Sequence, residues 1–125
     1  MKLEYRKHIT RDMVQAERDK LFVFGDNQER LELGGQAKEM RGEPNSFGIE
    51  TKKNSYRYCD GDLWDFGFLI QDLAALRGLI MTGRSGTIVW PAEGIGTGLA
   101  DLKKHWPEGL ALIEAFRACL ERACR

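Results

Sequence analysis

The sequence predicts an α/β fold of three layers, with helices packed on both faces of a central mixed sheet. Three observations carry this expectation. The runs "LFVF" (residues 21–24) and "IVW" (88–90) are continuously apolar, as strands buried on both faces are, because they lose the in-and-out alternation of half-exposed ones. Segments with helical periodicity alternate with the strand-like ones, the longest at residues 62–81 and 108–123. Both apolar runs end in glycine-bearing loops, and in folds of this class ligands sit beyond the carboxyl ends of the central strands.

Each element has a local reason. Lys2 to Arg6 alternates apolar and charged residues and reads as a short edge strand. In "ITRDMVQAE", Thr10 is placed to cap a helix whose Met13 and Val14 turn inward. Leu21 to Phe24 is the clearest strand, ended by Gly25, Asp26 and Asn27. "LGGQAKEMRGEPN" holds a double glycine, Gly34 and Gly35, then a short helix-compatible stretch closed by Gly42 and Pro44. "SFGIETKK" is a short strand ending at Thr51, Lys52 and Lys53.

From residue 62 to 81, Phe66, Leu69, Ile70, Leu73, Leu76 and Ile80 recur at helical spacing, which predicts a core-facing helix. Asp62 and Asp65 sit in its first turn, where the helix dipole favours them. "GTIVW" is the second buried strand. A closing helix begins around Pro107, with Leu110, Ile113, Phe116 or Arg117, and Leu120 facing in.

At 125 residues the chain fits a single domain, residues 1–125, large enough to bury about two thirds of its unfolded surface without disulfides or a metal. Nineteen basic side chains balance nineteen acidic ones, so there is no global basic footprint and nucleic acid is not the expected partner. No apolar run approaches the roughly 18 residues of a membrane span, and no signal-peptide pattern opens the chain, so a cytoplasmic location is expected. Cys59, Cys119 and Cys124 lack metal-site spacing and read as reduced thiols. His8 and His105 have no partner motif, so neither a metal nor a cofactor is expected. The oligomeric state is open.

The glycine loops carry the functional argument. Glycine allows left-handed backbone and close approach of another group, so its N–H groups can converge on an anion. "GDNQERLELGGQA" follows the first buried strand and "AEGIGTG" the second. Neither contains a P-loop or a complete dinucleotide fingerprint, so any phosphate cradle here is of another kind. The alternative is that the glycines serve tight turns only, with Gly94, Gly96 and Gly98 supplying positive φ.

The order of these motifs resembles the macro-domain, ADP-ribose-binding family, and within it the terminal ADP-ribose protein glycohydrolase branch. The likeness rests on Thr51-Lys52-Lys53 after a strand, the helix of 62–81, "PAEGIGTGL" at 91–99, Trp106 and the helix of 108–123. "FGDN", "GGQA", "RGEPN" and "GIGTGL" also resemble segments of small uncharacterised bacterial and phage proteins.

The resemblance implies a macro-domain-like fold and a small-molecule nucleotide partner such as ADP-ribose. It assigns ligand contacts to Gly25, Asp26, Asn27, Gly34, Gly35, Gln36, Thr51, Gly94, Ile95, Gly96, Thr97, Gly98 and Leu99. It also implies a catalytic pair. Lys52 takes the place of the nucleophilic lysine, which would need a depressed pKa from burial or from Lys53. The acid's place holds Ala100, with Asp101 one residue later, and the loop is one residue longer than the branch's.

Three functions follow as expectations. The chain is an ADP-ribosyl hydrolase, a module that holds or sequesters such a nucleotide without turnover, as in bacterial or phage defence, or a structural partner protein whose glycines are turns.

Overall fold

In a computed structural model that describes residues 1–30 and 36–125, four strands and five helices alternate along the chain. They are β1 (Lys2–Arg6), α1 (Arg11–Ala16), β2 (Lys20–Asn27), α2 (Ala37–Met40), β3 (Ser46–Lys52), α3 (Leu63–Met81), β4 (Thr87–Pro91), α4 (Leu102–His105) and α5 (Pro107–Ala123). The sheet order is β1-β4-β2-β3.

Every strand pairing is parallel among the described residues, β1 with β4, β2 with β4 and β2 with β3. This corrects the mixed sheet expected above, and with it the macro-domain-like fold class built on that sheet. The physical reason is the connections: each link between strands passes through a helix, and a helical crossover returns the chain in the same direction, whereas an antiparallel neighbour needs a tight hairpin. The one antiparallel element is an isolated bridge from Lys52 to Tyr58, where the chain folds back beyond β3.

The sheet is covered on both faces, which agrees with three layers. On one face Leu21, Val23, Ile49, Ile88 and Trp90 pack against Leu69 and Leu76 of α3 and against Leu102, Trp106, Ile113 and Leu120. On the other, Phe22, Phe24 and Val89 meet Ile9, Val14, Ala37 and Met40. Neighbouring strand residues thus serve opposite cores, so the apolar runs have no polar side.

The expected inward faces need three corrections. Met13 of α1 is exposed while Val14 is buried, and on α3 Phe66 and Ile70 face outward. The buried positions of α3 are Asp65, Leu69, Asp72 and Leu76, with Leu73 and Ile80 partly buried against the core. Two polar obligations turn the helix this way. The Asp72 carboxylate accepts the amide of Glu50 on the edge strand β3 at 2.8 Å, and Asp65 accepts the amides of Asp60 and Gly61 at 2.8 and 3.0 Å. Asp62 caps the helix by accepting the Asp65 amide, as its place in the first turn suggested.

Asn45, buried just before β3, ties the second core together. Its side-chain amide donates to the carbonyls of Val14, Glu17 and Lys20 at 3.0 to 3.1 Å, joining the end of α1 to the start of β2. Replacement by alanine strands these carbonyls without a donor. Asn45→Ala is expected to lower stability by about 2 kcal/mol, read as a shift of the urea-denaturation midpoint with an unchanged slope.

Candidate functional site

Because all four strands run the same way, their carboxyl ends share one edge of the sheet. There a cavity of about 530 Å3 opens among the residues that follow each strand. That volume lies within the range of small-molecule sites. Lys7 comes from the end of β1, Gly25, Asp26 and Asn27 from β2, Thr51 and Lys52 from β3, and Pro91 from β4. Gln36, Ala37 and Arg41 close one side, Asn54 and Ser55 another, and the loop from Glu93 to Ala100 a third.

The loop after β4 answers why it is so poor in side chains. Gly94 and Gly96 have φ of +93° and +85°, which side-chain-bearing residues rarely adopt. A Cβ at Gly96 would also lie 2.4 Å from Leu102 Cδ1, so this glycine is required by the fold itself. Gly98 differs: its φ is not left-handed, and a Cβ there would meet nothing within 4 Å. Ile95 is buried beneath the loop, whereas Thr97 and Leu99 are exposed along it. Among the described residues, the amides of Ile95, Gly96, Thr97, Gly98 and Leu99 donate to no backbone carbonyl.

The walls are charged. Asp26 is buried and lies against the Arg41 guanidinium, whose Nε is 3.1 Å from both carboxylate oxygens and whose Nη2 also contacts it. Behind Asp26, Arg30 reaches Glu50 at 2.8 Å, Asp72 at 3.2 Å and Asp26 at 3.5 Å, and donates to the Gly48 carbonyl at 3.2 Å. Arg30 itself has φ of +53°, a left-handed backbone that sets its side chain across the edge of β3. Three carboxylates thus crowd around this arginine. Burial pushes the Glu50 carboxyl up to about 9, and the adjacent Asp72 adds to the rise. Glu50 Oε2 has no hydrogen-bond partner.

Lys52 lines the cavity, with its Nζ donating to the Ser55 carbonyl at 3.1 Å and lying 4.9 Å from the centre of the Tyr58 ring. Tyr58 in turn stacks on His105 at 3.8 Å. A carbonyl oxygen and a ring face hold the Lys52 side chain in place at the cavity wall. Lys53 points elsewhere, to Asp62 at 2.8 Å, Asp65 at 2.9 Å and Asp60 at 3.6 Å. Burial opposes its charge, but the hydrogen bonds to Asp62 and Asp65 outweigh burial and hold Lys53 above its ordinary range.

Asp60, Asp62 and Asp65 are close enough to hold a cation, and the Lys53 ammonium already fills that role. Burial alone would raise Asp65; bonds from Lys53, Gln28 and the amides of Asp60 and Gly61 bring it to about 2 instead. This knot fixes the segment that presents Asn54 and Ser55 to the cavity. Cys59, buried beside it, is raised to about 12 by burial and the nearby Asp65, so its thiol is unreactive at neutral pH.

Of the residues expected from the sequence, Gly25, Asp26, Asn27, Gln36, Thr51, Lys52 and Gly94 to Leu99 all line the cavity. Gly34 and Gly35 lie outside the described residues. Asp101 does not line it; it has φ of +43° and starts α4 behind the loop. Thr51 is buried and donates to the Asp26 carbonyl at 3.3 Å, so its hydroxyl joins the two central strand ends. Lys7, Asn54 and Ser55 were missed. Lys7 is signalled only by following a strand, which has meaning once β1 is known to be parallel to β4.

The buried carboxyls give a pH dependence. Glu50 keeps its proton in the folded chain well above the range where the unfolded chain loses it, so its contribution is complete below about pH 4.5 and is lost as pH rises toward 9. Glu50→Gln, which keeps an acceptor for Arg30 and offers Asp72 a donor, removes that loss. The variant is expected to match the parent near pH 4 and exceed its stability by about 1 to 3 kcal/mol at pH 8, measured by denaturation at both values.

Among the described residues no helix is long and apolar enough to cross a membrane. No functionally described protein and no solved structure matches the chain. A family profile described as "Family of unknown function (DUF7831)" matches residues 4–116, most of the length. By that match the chain, with its glycine loop and charged cavity at the carboxyl edge of a parallel sheet, belongs to this family of unknown function.

Proposed function

We infer that the cavity binds a diphosphate-bridged nucleotide of the ADP-ribose kind. The observation that carries the reading is the run of five loop residues, Ile95 to Leu99, which line a cavity at the carboxyl edge and whose amides, among the described residues, donate to no backbone carbonyl. Main-chain donors of this sort suit an anion with several oxygens. Among the described residues, Lys7, Arg41 and Lys52 line the same cavity against Asp26 and Glu93, an excess of one positive charge. The volume has room for more than a phosphate, and the likeness of "TKK" and "PAEGIGTGL" to ADP-ribose-binding loops supports the ligand class.

Binding without turnover is favoured over hydrolysis by one observation in each half of the expected catalytic pair. Lys52 Nζ is engaged by the Ser55 carbonyl and the Tyr58 ring, and Asp101 is not in the cavity lining. Asp26 acts as a positioning residue, holding Arg41 at the wall.

Calorimetry with ADP-ribose tests the reading: a micromolar dissociation constant is expected, with AMP weaker because it lacks the diphosphate bridge. No heat at millimolar ligand with folded protein would overturn it. Lys52→Ala is expected to weaken ADP-ribose by about tenfold, the scale of one charge-assisted contact. Loss of a measurable ADP-ribosyl hydrolase activity in that variant would favour the catalytic alternative.

The two glycines separate cradle from turn. Gly98→Val is expected to leave the melting temperature within about 2 °C of the parent while weakening ADP-ribose about a hundredfold, because a side chain there displaces the phosphate without straining the fold. Gly96→Val is expected to cost about 2 kcal/mol or more of stability through its φ and its clash with Leu102, so its melting temperature falls whether or not ligand binds. Full affinity in Gly98→Val would defeat the cradle.

A further inference from the structure

Helix α3 buries Leu69 and Leu76 together with Asp65 and Asp72, and it leaves a second apolar stripe facing solvent. At 100° per residue, positions 63, 66, 67, 70, 74, 77, 78 and 81 fall on one outward stripe, and they hold Leu63, Phe66, Gly67, Ile70, Ala74, Arg77, Gly78 and Met81. All eight are exposed, and Arg77 is the only charge among them. Trp64 extends the stripe at its flank. The large side chains are far from covered: Leu63 is 87% exposed, Trp64 74%, Met81 69%, Phe66 49% and Ile70 41%.

We propose that this stripe is the interface of a two-fold homodimer, in which α3 packs antiparallel against α3 of a second copy. Two arguments select a second copy as the occupant.

The first is area. At roughly 200 Å2 for a fully exposed large side chain, the five exposed fractions amount to roughly 600 Å2, the upper end of what a soluble monomer leaves as one patch. Two copies burying it against each other remove roughly 1,200 Å2, which reaches the lower bound of stable specific interfaces. The helix, about 28 Å long at 1.5 Å per residue, spans such a contact alone.

The second is shape. A two-fold axis crossing α3 at the level of residue 72 sets Leu63 against Met81, Phe66 against Gly78, Ile70 against Ala74 and Gly67 against Arg77 of the second copy. Phe66 and Ile70 each face a small residue, Gly67 faces the long Arg77, and Leu63 meets Met81 at the two ends of the contact. The surface is therefore complementary to itself, as an isologous contact requires. Gly67 leaves room for the one charged side chain of the opposing stripe. The stripe lies away from the nucleotide cavity lining, so the dimer is independent of the function inferred above.

Sedimentation equilibrium of the full chain tests the proposal. At tens of micromolar the parent is expected at twice its 14.2 kDa mass. Phe66→Glu and Ile70→Glu, both at exposed positions, are expected to sediment at the single mass with an unchanged circular-dichroism melt. A parent that stays at the single mass up to about half a millimolar overturns the dimer, also if it binds phosphatidylcholine–phosphatidylglycerol vesicles through this face. Variants that remain dimeric place the contact elsewhere and overturn it equally.

The antiparallel register has its own test in a Cys119→Ser background. Leu63→Cys with Met81→Cys is expected to oxidise to a covalent dimer, and Leu63→Cys alone is not, because the two copies of residue 63 lie about 27 Å apart in this pairing. Efficient cross-linking of the single variant would overturn the arrangement.

Discussion

The parallel direction of the sheet is the constraint from which the site follows. Each strand is returned to the start of the sheet by a helix, so the residues that end β1, β2, β3 and β4 arrive on one edge. Lys7, Asn27, Lys52 and Pro91 are far apart in sequence and become neighbours around one cavity for this reason alone. With an antiparallel strand in the set, one of these ends would lie on the opposite edge. The glycine loop then lines the same cavity as the cations Lys7, Arg41 and Lys52.

A second consequence runs through the edge strand. Among the described residues β3 pairs on one side only, with β2, and its other side is met by side chains: Asp72 takes the Glu50 amide, and Arg30 takes the Gly48 carbonyl. This protects the edge from pairing with another chain. It also gathers Asp26, Glu50 and Asp72 around one guanidinium; burial first, and then the neighbouring Asp72, make Glu50 resist ionisation, against the pull of Arg30. Because Asp72 must reach β3 and Asp65 must gather the loop before α3, the helix presents two acids inward. Leu69 and Leu76 share that inward face, while Leu63, Phe66, Ile70 and Met81 are left facing out as the proposed dimer face.

The glycines of the β4 loop divide by role. Gly94 and Gly96 supply backbone conformations and space that the fold requires, while Gly98 meets neither demand and lies open at the cavity. The turn requirement thus accounts for Gly94 and Gly96 and leaves Gly98 without one. Lys52 shows a similar separation, since it reaches the place expected for a catalytic lysine but is held there by a carbonyl and a ring that suit a binding charge.

What the sequence determined by itself is set by short-range chemistry. The strands at Leu21 to Phe24 and Ile88 to Trp90, the caps at Thr10 and Asp62, the helix after Pro107 and the glycine loop at 94–98 all follow from residues within a few positions of one another. Most of the cavity lining was legible for the same reason, because post-strand residues of buried strands gather at a sheet edge. Strand direction was not legible, since a buried strand looks alike in parallel and antiparallel company, so the mixed sheet was expected and Lys7 was missed. The outward face of α3 was not legible either: it is apolar on nearly every side, and its rotation was decided by where Asp72 found the Glu50 amide and Asp65 found the side chains of Gln28 and Lys53. Only the tertiary structure brings those donors to the helix, because the hydrogen bonds that fix its rotation join residues whose distance in sequence says nothing of their distance in space.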